Sequence, residues 1–196
     1  MADAKELVRF GLKNAYYAKW DPKTSKYLAP VKAPGIVAIS LSPEGDSSTF
    51  YAEDRPYFTV TANGGYTGSM EIANVTDEMY VDLLGYVKDA NGALIEDASA
   101  TPASFALLFE VGSNIEPARF VLYSCTIARP SEDRKTKESS IEVNTQTMDL
   151  TAIARNIAYG DGTIDAVKGH LALTDASKTA YDSFFTEVYM PKKVAA

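Results

Sequence analysis

Nucleophilic catalysis needs a base held beside a serine, threonine or cysteine. This chain offers one histidine, His170, and one cysteine, Cys125. His170 stands in a strand-like stretch and reads as a structural histidine. Cys125 lies in the apolar run 120–127 and reads as a small buried residue rather than a reactive thiol. There is no G-x-S-x-G elbow, no phosphate-cradling loop, no G-x-G-x-x-G opening a helix and no Cys/His cluster with zinc spacing. Asp89-Ala90-Asn91-Gly92 could open a calcium loop, but the ligand spacing that should follow is absent, so it reads as a turn. Acids are numerous enough to supply a glycosidase pair. They gather in turns and at helix starts, where solvation and the helix dipole already account for them. The expectation is therefore no catalytic residue, no metal, no cofactor and no enzyme activity.

The charge balance narrows the partners. Nineteen bases stand against 26 acids, a net charge of −7, which argues against an outer surface that grips nucleic acid through its phosphates. It does not argue against nucleic acid as cargo. The opening MADAKELVRF mixes charges and lacks a signal-peptide core, and no apolar run approaches a membrane span, so a soluble protein made in the cytoplasm is expected. Asn74-Val75-Thr76 matches a glycosylation sequon in form but reads as the start of a helix.

At 196 residues the length suits a single domain with a core of its own, spanning 1–196. Within it, 1–8 reads as an arm and 189–196 as a tail. Residues 9–20 have the pattern of an edge strand. Three β-rich runs follow, 36–41, 57–62 and 66–73, and Asn63-Gly64-Gly65 reads as a tight hairpin turn joining the last two. The stretch 42–56 is different: a long polar excursion carrying Glu44, Asp46, Glu53, Asp54 and Arg55 around an aromatic pair, Phe50 and Tyr51. Two exposed rings on a long loop call for a surface to cover, and these seven residues are the candidate interface. The loop is expected to be mobile alone and ordered against a partner.

Thr76 to Gly85 reads as a short helix, with Thr76 as N-cap, acids in the first turn, Gly85 as C-cap, and Met79, Tyr80, Leu83 and Leu84 on one face. Runs 105–111 and 119–128, joined through Gly112-Ser113-Asn114, read as a core hairpin whose second strand is buried on two sides. Residues 129–140 form a charged connection. The span 141–154 alternates, with Glu142, Asn144 and Gln146 opposite Ile141 and Val143. Tyr159-Gly160-Asp161-Gly162 turns the chain toward a last strand at 164–173. Residues 174–188, with Ala180, Tyr181, Phe184, Phe185 and Val188 at helical spacing, read as a short C-terminal helix. The fold class is thus mainly β, a small β-barrel or β-sandwich with one short internal helix and a short C-terminal one.

The segments LSPEGDSSTFYAED, NGGYTGSMEIA, LLG with the DANGALIED turn after it, FALLFEVG, RFVLYSCTIARP and YDSFFTEVYMP, in that order, resemble the major tail proteins of long-tailed, non-contractile bacteriophages. The family found in phages of Gram-positive hosts is the most similar. The resemblance spans nearly the whole chain. It implies a structural virion protein, assembled in the host cytoplasm. Six copies would close into a ring, with rings stacked into a tail tube through which DNA is ejected. Implied partners are further copies of the chain, a tape measure protein, a tail terminator, and double-stranded DNA passing without specific binding. Some relatives carry an extra immunoglobulin-like domain at the C-terminus, which is not expected here.

A DNA-conducting wall should carry neither bases nor large apolar patches. The lumen candidates are Glu142, Asn144 and Gln146 on one alternating strand and Ser69 and Glu71 on another, with Ile141, Val143, Met70 and Ile72 supplying the opposite, inward face. The competing expectation is a β-sandwich carbohydrate-binding or adhesin module. Trp20 beside Tyr16 and Tyr17 would be its stacking platform.

Overall fold

The computed structural model describes residues 8–131 and 145–193. Lumen candidates Glu142 and Asn144, with Ile141, Val143, residues 132–140 of the charged connection, 1–7 of the arm 1–8 and 194–196 of the tail, lie outside the described residues. In chain order the elements are β1 (Arg9–Asp21), β2 (Lys26–Tyr27), β3 (Val31–Lys32), β4 (Ile36–Glu44), β5 (Ser47–Ala52), β6 (Arg55–Thr61), β7 (Gly65–Ile72), α1 (Asp77–Leu84), β8 (Val87–Lys88) and β9 (Leu94–Ile95). They continue with β10 (Phe105–Ser113), β11 (Ala118–Ile127), β12 (Gln146–Ile153), β13 (Arg155–Tyr159), β14 (Gly162–Ala166), β15 (Lys168–Ala172) and α2 (Lys178–Asp182).

The fold is mainly β, as its alternating runs require, and its large antiparallel sheet does not close into a barrel. The strand order is β2-β1-β10-β11-β12-β7-β4. One strand makes the sheet fork: the first half of β11, from Ala118 to Leu122, pairs with β15, while Ser124 to Ile127 pair with β12. At the fork, the Tyr123 N–H donates to the Val167 carbonyl at 3.0 Å. β1 has only the two-residue strands β2 and β3 on its outer side, so it behaves as the near-edge strand its pattern suggested. Its two register shifts fall where Gly11 (φ 72°) and Asn14 (φ 52°) take left-handed backbone, a conformation that Gly and Asn tolerate best.

Apolar residues fill both faces of the sheet's middle. On one side, Leu107, Leu122, Met148, Leu150, Met70 and Ile72 pack under α1 through Met79, Leu83 and Leu84. On the other, Ala106, Leu108, Val121 and Tyr123 meet Ile157, Phe184 and Val188. In β11 every residue from Val121 to Cys125 is buried, the two-sided burial expected of the hairpin's second strand, and β10 is buried throughout from Phe105 to Glu110 as well. Helix α1 forms as its sequence requires. Thr76, extended at ψ 155°, accepts from the Met79 N–H at 3.3 Å, and Gly85 ends the helix at φ 76°.

The C-terminal helix is shorter than its spacing suggests. α2 has five residues, and the chain from Ser183 continues in turns. Hydroxyls break it: Ser183 donates to the Ala180 carbonyl at 3.3 Å, and Thr186 donates to the Ser183 carbonyl at 2.7 Å, local bonds that compete with helix propagation. The break lets Phe184 reach the core while Phe185 stacks on Tyr16 at 4.6 Å. The tail that follows is anchored as far as Tyr189, whose carbonyl accepts from the Tyr123 hydroxyl at 3.1 Å. The single strand expected at 164–173 is two, β14 and β15, with β14 paired to β13 across the Tyr159–Gly162 turn.

Asn63-Gly64-Gly65 is not a hairpin turn. β6 pairs with β5 and β7 pairs with β4, so the chain runs on through these residues and the true turn is ten residues earlier. Backbone crowding explains the glycines: a Cβ on Gly65 would stand 2.2 Å from the Ala152 carbonyl oxygen, and one on Gly45 2.0 Å from that of Ala62.

Candidate functional site

β5 and β6 form a two-stranded ribbon that extends the β4–β7 pair beyond the body of the sheet. Its base is tied by the Ala62 N–H to the Asp46 carbonyl at 2.9 Å, the Gly64 N–H to the Glu44 carbonyl at 2.8 Å, and the Thr67 hydroxyl to the Glu44 carboxylate at 2.6 Å. Its tip is a two-residue turn, Glu53-Asp54, with φ 53° and 58° at its centre. That is type I′ geometry, which matches the twist of the strands but usually employs Asn-Gly. Arg55 donates to the Glu53 carboxylate at 3.1 Å.

Register sorts the ribbon's side chains into two faces. Phe50 pairs with Phe58 and Ser48 with Val60, so Phe50, Phe58 and Val60 share one face. Thr49 pairs with Thr59, their hydroxyls 3.1 Å apart, and alternation places Tyr51 and Tyr57 with them on the other. The ribbon has no core to bury either: Phe50, Tyr51, Tyr57 and Phe58 are 64, 64, 70 and 61% exposed. The loop expected at 42–56 is thus a strand-turn-strand. It brings Phe50, Tyr51, Glu53, Asp54 and Arg55 onto the outer part, with Glu44 and Asp46 at the base. Sequence reasoning missed Tyr57, Phe58 and Val60, assigned to a strand paired with β7. Their alternation with Thr59 and Thr61 was the available signal, hidden by Pro56.

The second surface lies on β4, β7 and β12. Three rows cross it: Ala38-Glu71-Thr147, Ser40-Ser69-Asp149, and Ser42-Thr67-Thr151, the last continued by Thr126 of β11. Behind it stand Ile39, Met70, Ile72, Met148 and Leu150 in the core. The rows hold small hydroxyl side chains with two carboxylates and no base. Ser69 and Glu71 are on this face as expected, and the Thr145 hydroxyl donates to Glu71.

Gln146 is not on it. It pairs with Ile72 and shares the inward side of Met148 and Leu150. Its carbonyl accepts from the Val75 N–H at 2.7 Å and its amide donates to the Tyr80 hydroxyl at 3.2 Å. It therefore serves the entry to α1 instead, satisfying a buried backbone donor.

Cys125, His170, Glu110 and Asp89 each make structural contacts. Burial pushes the Cys125 thiol up to about 12, so it stays protonated. His170 stacks on Phe120 at 5.6 Å. Glu110 is buried and accepts from Lys13 and Arg119 at 3.1 Å and Asn14 at 3.3 Å. Burial alone would raise its pKa, but those three donors outweigh it and hold the carboxyl below its usual range. Asp89 organises its turn by accepting from the Asn91 and Ala93 N–H groups at 2.8 and 2.7 Å. Among the described residues no group of three or more His, Cys, Asp or Glu could hold a metal ion, and no helix is long and apolar enough to cross a membrane. Trp20 offers no platform: the Arg155 guanidinium lies 4.1 Å over its ring and Tyr27 packs against it edge-on at 4.8 Å. Tyr17 is buried and Tyr16 is covered by Phe185.

Neither a scan against protein-family models nor a comparison with curated proteins finds a match to this chain.

Proposed function

We propose that the chain is a self-assembling structural protein, the tube subunit of a long-tailed, non-contractile phage tail. Six copies form each ring, and stacked rings enclose the channel for DNA. The observation that carries this reading is the β5–β6 ribbon, whose four aromatic rings are more than 60% exposed on two opposite faces. A bare two-stranded ribbon is marginal in water. Aromatic area of this size is the kind of surface that association covers. Sequence resemblance supplies the identity of the assembly, and the base-free hydroxyl face of β4, β7 and β12 suits the wall of a DNA channel. DNA slides past it because no lysine or arginine there adds a salt-sensitive attraction.

Negative-stain electron microscopy of the purified protein, concentrated at several salt strengths, tests the proposal. Rings or tubes with a central channel are the expected result. Particles that stay monomeric throughout and bind glycans instead would replace it with the carbohydrate-binding reading.

A further inference from the structure

The ribbon needs a receptor, and one groove among the described residues complements it. Between α2 and the segment after it lies a groove of about 430 Å³, floored by Ala180, Phe184, Val188 and Met190 and rimmed by Glu187 and Lys192. Lys193 follows, its side chain lying over Gly160 in the β13–β14 turn. Among the described residues neither lysine takes part in an ion pair. Two further grooves among the described residues carry an excess of acid: Asp77, Glu78 and Asp82 against Lys88 in one, and Glu96 and Asp97 against Arg129 in the other, each base already paired with an acid of its own groove. These carboxylates carry the same sign as Glu53 and Asp54.

We infer that the groove beside α2 receives the ribbon tip of a second copy, with Phe50 or Phe58 against its apolar floor and Glu53 and Asp54 facing Lys192 and Lys193. This rests on the self-assembly reading and adds the receiving surface to it. The ribbon's rings and acids are exposed in their own chain, so the chain does not fill its own groove. A protrusion and its receptor at different places on one molecule form a heterologous contact, which repeats from copy to copy rather than stopping at a dimer. Desolvated apolar contact supplies the adhesion, and the charges fix register and exclude the acidic grooves. The Glu53-Asp54 turn fits this role. Asn-Gly would serve the type I′ geometry better, so the acids are explained by what they meet, not by the turn.

A double-mutant cycle in the full-length chain tests the inference, read as the protein concentration at which assembly begins. Glu53→Asn with Asp54→Gly keeps and strengthens the turn while removing both acids, and Lys192→Ala with Lys193→Ala removes the bases. Each pair should raise the onset concentration roughly threefold to tenfold, and the quadruple variant should be no worse than the weaker pair. Losses that multiply, or no loss in either pair, would overturn the docking. A second readout needs no change of affinity. Copies carrying Asp54→Cys mixed with copies carrying Lys192→Cys should form an intermolecular disulfide in assembled protein, since Cys125 is fully buried and does not compete. Assembled protein without that cross-link would overturn the docking alone. A wild type that never leaves the monomer would overturn the self-assembly reading with it.

Discussion

The strands β10 and β11 and the ribbon β5–β6 are both antiparallel pairs carrying aromatic and aliphatic side chains, yet they stand at opposite ends of burial. Phe105, Leu107, Leu108 and Leu122 are at most 1% exposed, held from both sides by α1 and by the segment around Phe184. In the ribbon, the same residue types meet water on both faces. Hydrophobic patterning builds a strand in either place; what differs is whether the chain supplies a cover. The core's partners are within the molecule, and the ribbon's partners are expected outside it. Substitutions in the first should therefore cost folding, and substitutions in the second should cost association.

The largest effect on folding is expected at Phe184. Phe184→Ala removes a ring that is 1% exposed and should lower the unfolding free energy by about 3–5 kcal/mol, measured by denaturant titration. A small loss there would mean that the α2 segment only rests on the sheet and that the sheet's second face resembles the ribbon more than the core.

Gln146→Ala should cost less, about 1–3 kcal/mol, because it leaves the Val75 N–H without its acceptor. Hydrogen exchange should locate the loss at the start of α1. Glu110 sharpens the comparison through pH. Its folded pKa is depressed below the ordinary value of about 4.5, so its contribution is present above that pH and lost as pH falls through the folded pKa. Glu110→Gln should flatten the fall of stability in that acid window. A variant whose acid unfolding follows the wild type would show that the Lys13, Asn14 and Arg119 contacts do not select the charged form.

The elements with local causes were legible in the sequence. Thr76 and Gly85 bound α1 because capping is decided within one turn of chain, and the 105–128 hairpin could be read because its apolar runs leave no other place for those residues. Longer-range causes were not legible. Asn63-Gly64-Gly65 has the composition of a turn, but the glycines answer to carbonyls of Glu44's neighbourhood and of Ala152, which are contacts across strands. Gln146 continues the polar alternation of 142 and 144, yet it is in phase with Met148 and Leu150, and on that inward side it meets Val75 and Tyr80. At the candidate site, Phe50, Tyr51 and the acids could be singled out by their misfit with a loop. Tyr57, Phe58 and Val60 could not, because Pro56 and the acidic turn disguised their pairing with β5.

The smallest expected effect on folding is also the decisive one. Phe50→Ser with Phe58→Ser alters only side chains that are more than 60% exposed, so the monomer's unfolding free energy should change by no more than about 0.5 kcal/mol. Sedimentation velocity of this variant beside the wild type, at matched rising concentrations, tests self-association through the ribbon most directly. Wild-type protein should pass from monomer to large assemblies while the variant stays monomeric. A variant that assembles as the wild type does, or a wild type that remains monomeric at every concentration and salt strength, would contradict the account.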